Sequence, residues 1–456
     1  MTPEELDEMC KQYDTQTLMT TMRASRDPKM VQSAAKEVND RLQGGDTEVY
    51  NSVVSGGGIG DLLGQANANM GNPAPLGSTL DGLGTLSSDD RLKTLLGMHG
   101  TIRLILEVMR RHPNDIELLD KCCYILSNLS FNNQQNMTAI IELAGVQDIV
   151  GVVKKHTPVN FICESAINVL VNLCHNSDKN KVLIARSGGA KAVVATLRKH
   201  NRCLNDGDAQ LCVACFRCLA NLAYVPDNVK QLVKLDTVAY LLDTMNQNTD
   251  KRDLIQMGVV CLANLSSHQR TAARMVNLGV LDLCIKVSQS YPDAMEIQRS
   301  CLGCIGNLMN EQSNAVTFLD KKGHLRVYEI MQELAFEESV VITALKLLKI
   351  LATNTDTATE MALSGGCIAV AEIMEENKQN EAILSLGCQA LCKMIVTMEA
   401  AKYIAKDGLC DIIVEIAKDN NNWANIQIMN ELIKVIVNVS SVEENAQLIA
   451  RNGAVP

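Results

Sequence analysis

Apolar residues recur at helical spacing along most of this chain, and the phrases they form repeat. The stretch CLANLAYVPDNVKQLV, Cys218–Val233, begins again as CLANLSS at Cys261 and as CIGNLMN at Cys304. A polar residue sits inside each phrase, and together they form a ladder: Asn128, Asn172, Asn221, Asn264, Asn307 and Asn438. Ile350 and Lys393 hold the two slots where the asparagine is missing. Three positions before each slot come Ile125, Val169, Cys218, Cys261, Cys304, Leu347, Ala390 and Val435; one position after come Leu129, Leu173, Leu222, Leu265, Leu308, Leu351, Met394 and Val439. Residues four apart share a helix face, so each phrase predicts a helix with one buried stripe.

Glycines keep the same beat. They stand at 100, 145, 189, 279, 323, 366, 408 and 453, at intervals of 45, 44, 90, 44, 43, 42 and 45 residues. The interval of 90 spans two periods, with Asp236 of KLDTV where the missing glycine would fall. A further helix follows each slot, as in CHNSDKNKVLIARSGG; the glycine ends it with a left-handed turn, and another helix such as AKAVVATLRKH comes next. Three helices in about 43 residues is the pattern of a helical solenoid, in which no unit buries its stripe alone and stacking makes one long core.

The beginning of the chain departs from this beat. Residues 1–45 predict two helices, with Thr2 capping before Pro3 and Asp27 before Pro28, and with Gly44 and Gly45 as the stop. Residues 46–90 read as a flexible Gly-rich linker, with nine glycines from Gly56 to Gly84. GIGDLLG within it lacks the GKS or GKT of a phosphate loop. Its 34 residues from 55 to 88 would span roughly 30 Å as a coil. Leu62, Leu63, Leu76, Leu80, Leu83 and Leu86 could then fold back into a groove of the repeats and block it. Residues 91–456 make eight to nine repeats, an array that continues further or is capped by a partner.

Composition narrows the function. Hydrophobic residues are 47% and aromatics 3%, a mix suited to closely packed helices. A net charge of −10 without a basic block disfavours nucleic acid and anionic membranes as partners. No apolar run is long enough to span a membrane, so membrane insertion is not expected. The N-terminus lacks the apolar core of a signal peptide, so the seventeen cysteines read as reduced thiols and the location as cytoplasmic. The Asn-X-Ser/Thr sequons at Asn128, Asn136, Asn264 and Asn438 are then coincidences of the repeat.

The LxNL phrase, the turn glycine, and the GGAKAVV or GVLDLCI phrase after it resemble the armadillo-repeat family over residues 90–456. The likeness is to β-catenin rather than to importin α, whose ladder pairs each asparagine with a tryptophan. The resemblance implies an all-α fold, a right-handed α–α superhelix, here with the N-terminal helical extension and linker. It implies a concave groove lined by the long third helices. There the ladder asparagines, Asn128, Asn172, Asn221, Asn264, Asn307 and Asn438, hold the main chain of an extended peptide. An amide supplies both donor and acceptor, so it can pair with any peptide unit. Selectivity would then come from residues one turn away: Tyr124, Asn168, Arg217, Lys346 and Lys434 before the slots; Asn132, Asn176 and His268 after them. Alternatively each asparagine ties its repeat to the next or caps a carbonyl. With Ile350 and Lys393 breaking the ladder, the main groove should run from Asn128 to Asn307.

Other constellations carry less. CVACFRC places Cys212, Cys215 and Cys218 near Cys203, but Cys215 and Cys218 occupy core slots that Cys301 and Cys304 repeat, so no metal is expected. The histidines show no pairing with a nucleophile and an acid, so no catalytic site and no cofactor are expected. Trp423, the one tryptophan, suits packing or a cap. The expected function is a non-enzymatic scaffold that binds other proteins through extended segments. The alternative is a structural adaptor of a cytoskeletal or ciliary assembly; a small-GTPase regulator and a nuclear import adaptor are weaker readings.

Overall fold

The computed structural model describes residues 2–25, 27–44, 46–55, 57–404, 408–418 and 425–452. The readings for Gly45, Gly56, Trp423 and Gly453 fall outside them. The described residues form 31 helices and no strand, in ten successive triplets followed by Glu443–Arg451. No single helix among them is long and apolar enough to cross a membrane. Packing divides the chain into two units, Met1–Tyr240 and Leu241–Pro456.

The stripe predicted on the long helices is the core. None of the sixteen residues three before or one after the ladder slots is more than 1% exposed. In the first unit the long helices Pro28–Gln43, Pro73–Ser87, Ile116–Ser130, Asn160–Cys174 and Asp206–Ala223 pack each on the next. In the second, Arg252–Ser266, Met295–Leu308, Glu338–Leu351, Glu381–Met394 and Ile426–Val439 do the same.

Residues 46–90 are not a flexible linker. They form Thr47–Ser55, Gly58–Ala68 and Pro73–Ser87, a full triplet. Leu62, Leu76, Leu80, Leu83 and Leu86 are all at 0% exposure in the core of the first unit, so they do not plug a groove. Each buried leucine contributes about 1.5–3 kcal/mol, more than the roughly 1 kcal/mol that a helical glycine costs. Those glycines also mark close approaches: a Cβ on Gly82 would lie 3.2 Å from the Cβ of Ala35, and one on Gly84 would lie 3.4 Å from the Tyr124 ring. The N-terminal segment likewise holds three helices rather than two: Pro3–Lys11, Thr15–Ala24 and Pro28–Gln43. Its predicted starts are present. Thr2 Oγ1 accepts from the Glu5 amide at 3.2 Å, and Asp27 Oδ1 accepts from the Lys29 amide at 3.0 Å.

The left-handed turn recurs once in every repeat from Gly100 to Gly408, although not always on the glycine read from the sequence. Gly100, Ala144, Gly188, Asp236, Gly279, Lys322, Gly365 and Gly408 have positive φ, including Asp236 where no glycine was available. At four repeats the turn residue precedes the ladder glycine. That glycine serves contact instead: a Cβ on Gly145 would lie 2.8 Å from Ile140 Cγ2 and 3.0 Å from the Ile140 carbonyl oxygen. Neighbouring substitutions should therefore act in opposite directions. Ala144→Gly removes the left-handed cost of about 1 kcal/mol against a smaller loss to chain entropy, and should raise the urea midpoint slightly. Gly145→Ala should lower the midpoint through overpacking that costs about 1–3 kcal/mol of stability.

Candidate functional site: the asparagine ladder

All six ladder asparagines are half-buried on the long helices. The amide nitrogens of four of them face the preceding repeat. Asn128 Nδ2 donates to Ser87 Oγ at 3.0 Å. Asn172 Nδ2 donates to the Ser127 carbonyl at 2.9 Å and also reaches Ser130 Oγ at 3.3 Å. Asn307 Nδ2 donates to the Ala263 carbonyl and to Ser266 Oγ, both at 3.2 Å. Asn438 Nδ2 reaches the Cys392 carbonyl at 3.4 Å. Ser127, Ala263 and Cys392 each immediately precede a ladder slot. Each such bond therefore sets neighbouring slots side by side, Asn128 with Asn172 in one unit and Asn264 with Asn307 in the other.

The break in the ladder is a chemical substitution. Lys393 Nζ donates to the Lys349 carbonyl at 3.4 Å and to Thr353 Oγ1 at 3.1 Å. Lys349 immediately precedes the Ile350 slot, so Lys393 supplies the inter-repeat donor an asparagine would have given. Ile350 supplies none, and its partly exposed side chain borders a hollow with Met309 and Ala315.

The other half of four of these amides is unoccupied. Oδ1 of Asn128, Asn172, Asn307 and Asn438 accepts no hydrogen bond among the described residues. The Asn221 side chain makes none at all. It lines an open hollow of about 690 Å³ with Cys174, His175, Asn176, Lys179, Lys181 and Tyr224. Lys181, buried and paired with Asp178 at 2.9 Å, lies 4.3 Å from the Tyr224 ring centroid. Lys93 repeats this arrangement, 5.1 Å from the ring of Phe131. Phe131 and Tyr224 each stand three residues after a ladder asparagine, and each of these two aromatics is braced by a buried cation.

The predicted flanking residues divide. Tyr124 and Arg217 are exposed, and Asn168 is half-buried; neither Arg217 nor Asn168 has a polar partner among the described residues. Asn132 and Asn176 serve the backbone, with φ of 53° and 49° at the end of their long helices. His268 is half-buried at the start of Gln269–Asn277, where its side chain does not cap the helix. Asp120 and Glu164, eight residues before their slots, are held above the usual carboxylate range by desolvation.

A second polar row went unrecognised in the sequence. Asn136 Nδ2 bonds the Leu129 and Lys93 carbonyls, both at 2.9 Å. Asn228 bonds those of Leu222 at 3.1 Å and Lys181 at 3.2 Å, and Asn445 those of Val439 at 3.0 Å and Ala401 at 2.7 Å. Asn180, Asn314, Thr271 and Thr357 reach the matching carbonyl of the long helix just before them. The signal was a second polar residue seven or eight positions after every slot but Lys393, where Ala400 and Ala401 stand. Three histidines form another row: His112, His156 and His200 Nε2 lie 2.7, 3.2 and 2.8 Å from the Met70, Pro113 and Thr157 carbonyls.

The thiols are inert packing groups. Every described cysteine is buried except Cys392, which is half-buried, and desolvation pushes the Cys163 and Cys174 thiols up to about 12. No group of three potential metal ligands occurs among the described residues.

Triplets of helices turned by a left-handed residue and joined by amide ties define an armadillo-repeat solenoid. The chain belongs to the GAC ARM domain family, which matches residues 79–444. A curated relative, protein aardvark of Dictyostelium discoideum, is 30% identical over 129 residues, 26% of this chain. The match spans 17% of that relative's length. A solved structure from work on the phosphorylation-controlled interaction between cadherin and β-catenin shares the fold. Its TM-score is 0.69 at 12% identity, covering 96% of this chain and 85% of that one. An engineered protein gives a TM-score of 0.48 at 16% identity, over 55% of this chain and 99% of its own.

The two polar rows should respond differently to alanine. Asn228→Ala strips two buried carbonyls and should cost about 1–3 kcal/mol in urea unfolding. Asn221→Ala loses no hydrogen bond and should stay within about 0.5 kcal/mol of the parent. Titration gives a further test. The folded chain holds the Asp120 and Glu164 protons more tightly than the unfolded chain, so stability falls as pH rises through and above their ordinary values of 3.8 and 4.5. Asp120→Asn with Glu164→Gln should raise the melting temperature at pH 7 and leave it nearly unchanged near pH 4.

Proposed function

We propose that the chain is a non-enzymatic scaffold that holds an extended segment of another protein along the ladder asparagines. The observation that carries this reading is the second half of the ladder amides: the oxygens of half-buried Asn128 and Asn172 in the first unit, and of Asn307 and Asn438 in the second, accept no hydrogen bond among the described residues, and the Asn221 side chain makes none. Such an oxygen accepts a main-chain N–H, and a row of them holds a peptide without reading its side chains. Selection falls to Tyr124, Asn168, Arg217 and Tyr224 beside Asn128, Asn172 and Asn221. In the second unit Asn264, Asn307 and His268 serve the same end, and Asn438 acts beyond the interruption. The interaction of cadherin with β-catenin, the subject of the structurally similar work, agrees with a fold suited to this use. Such a scaffold would act in the cytoplasm; an adaptor in a cytoskeletal assembly would use the same face.

Asn221 gives the cleanest test because no fold hydrogen bond depends on it. Proteins captured by the parent chain should be lost or bound at least tenfold more weakly by Asn221→Ala at unchanged melting temperature. Asn172→Lys, which copies the inward donor of Lys393 and removes the outward acceptor, should have the same effect. Equal capture by both variants would make the ladder purely structural.

A further inference from the structure

Three middle helices of the first unit, Thr101–Arg111, Gly145–Lys155 and Gly189–His200, finish alike: Arg110–Arg111–His112, Lys154–Lys155–His156 and Arg198–Lys199–His200. Each basic pair stands ten and eleven residues after its left-handed turn at Gly100, Ala144 or Gly188. The helices pack each on the next, and the histidine bonds to the Met70, Pro113 and Thr157 carbonyls hold their ends in register. All six cations are exposed. Arg110 pairs with Asp148 at 2.7 Å and Arg111 with Glu107 at 2.6 Å. Lys155, Arg198 and Lys199 have no polar partner among the described residues. With Arg103 and Lys191, these helices carry eight lysines and arginines against those two acids, in a chain of net charge −10. Successive pairs lie 44 residues apart, so the sequence holds no basic block; stacking assembles the face.

Cations at a helix C-terminus also favour the helix dipole. That effect does not account for these pairs. After the turns at Asp236, Gly279, Lys322 and Gly365 the same two positions hold Asn246–Gln247, Gln289–Ser290, Gln332–Glu333 and Glu375–Glu376. The dipole acts equally there, and acids are tolerated.

We infer that this face docks the first unit on an anionic lipid surface, as a peripheral contact without insertion. Three features select a flat polyanion. The cations form a two-dimensional array: Arg103 to Arg111 covers about 12 Å along a helix, and three packed helices span roughly 20 Å across. An extended acidic segment would follow a single line. Between the cation rows, Gly151 and Ala195 are exposed but short, so the long basic side chains on those two helices reach past them to a plane. None of the large exposed apolar residues lies on these helices, so charge alone makes the contact. Each unpaired cation near an anionic leaflet multiplies partitioning about fivefold, and the effect fades beyond a Debye length.

Cosedimentation with phosphatidylcholine vesicles holding about 30 mol% phosphatidylserine, at about 0.1 M NaCl, tests this. The parent chain should bind these vesicles, ignore pure phosphatidylcholine, and be released at about 0.5 M NaCl. Lys155→Glu with Lys199→Glu should weaken partitioning by about twentyfold or more, with an unchanged circular dichroism spectrum. Lys230→Glu with Lys234→Glu, an equal charge change at exposed lysines of Pro226–Lys234, should stay within about twofold of the parent. A parent chain that does not bind the anionic vesicles, or equal losses in the two double variants, overturns the proposal. Retention on polyglutamate or duplex DNA without vesicle binding overturns it too, and gives the face to a polyanion of that class.

Discussion

The structure depends on closing the ends of its long helices. The last carbonyls of an α-helix have no partner within it, and in a stacked array they are buried, where an unmet carbonyl costs about 1–3 kcal/mol. Here a short polar side chain from the following helix turns back to meet them. Asn136, Asn228 and Asn445 each bond one such carbonyl, on the long helix just before them, and a second carbonyl inside the matching short helix one repeat earlier, at Lys93, Lys181 and Ala401. One amide therefore sets both the turn out of a long helix and the stacking of successive short helices. Thr271 and Thr357 fulfil only the first task, because a hydroxyl has one proton to donate.

This constraint explains what the sequence revealed. Period, helix count and buried stripe were legible because each is set by residues repeated at the same slot, and Leu129 or Leu173 reads the same wherever it stands. The turn was legible to within one residue. Its strained position tolerates alanine at 144 and lysine at 322, while the adjacent glycine is demanded by contact with Ile140 or Phe318. Residues 46–90 misled because glycine was read as freedom. In Pro73–Ser87 it is closeness: Gly82 and Gly84 let helices approach Ala35 and Tyr124, and the leucines between them fill the core.

The candidate site was half legible. Counting placed Asn128, Asn172, Asn221, Asn264, Asn307 and Asn438 at one slot, but counting cannot tell which half of an amide faces the neighbouring repeat. The two readings weighed for these residues, peptide holder and repeat tie, are not exclusive. The nitrogen ties Asn172 to Ser127 while the oxygen stays open. The second row was missed because asparagine in short polar loops such as NNQQN is commonplace and its partner carbonyls have no sequence signature.

Lys393 separates the two roles more sharply than any ladder asparagine could. Its ammonium meets the Lys349 carbonyl and Thr353 hydroxyl, so the repeat remains tied, but it has no acceptor to turn outward. Ile350 keeps neither role, and its repeat still packs with Leu347 and Leu351 at 1% exposure. The tie is therefore dispensable at a single repeat when the stripe is intact. A helix tolerates asparagine less well than alanine by roughly 0.6 kcal/mol. If stacking alone governed the slot, substitutions like Ile350 would be spread along the array. They are instead confined to two adjacent repeats of the second unit, and Asn221 stands in its slot without any tie to justify it. Such a distribution is the one expected from the peptide-holding role proposed for the ladder, in which the open half of the amide rather than the stack decides which residue the slot holds.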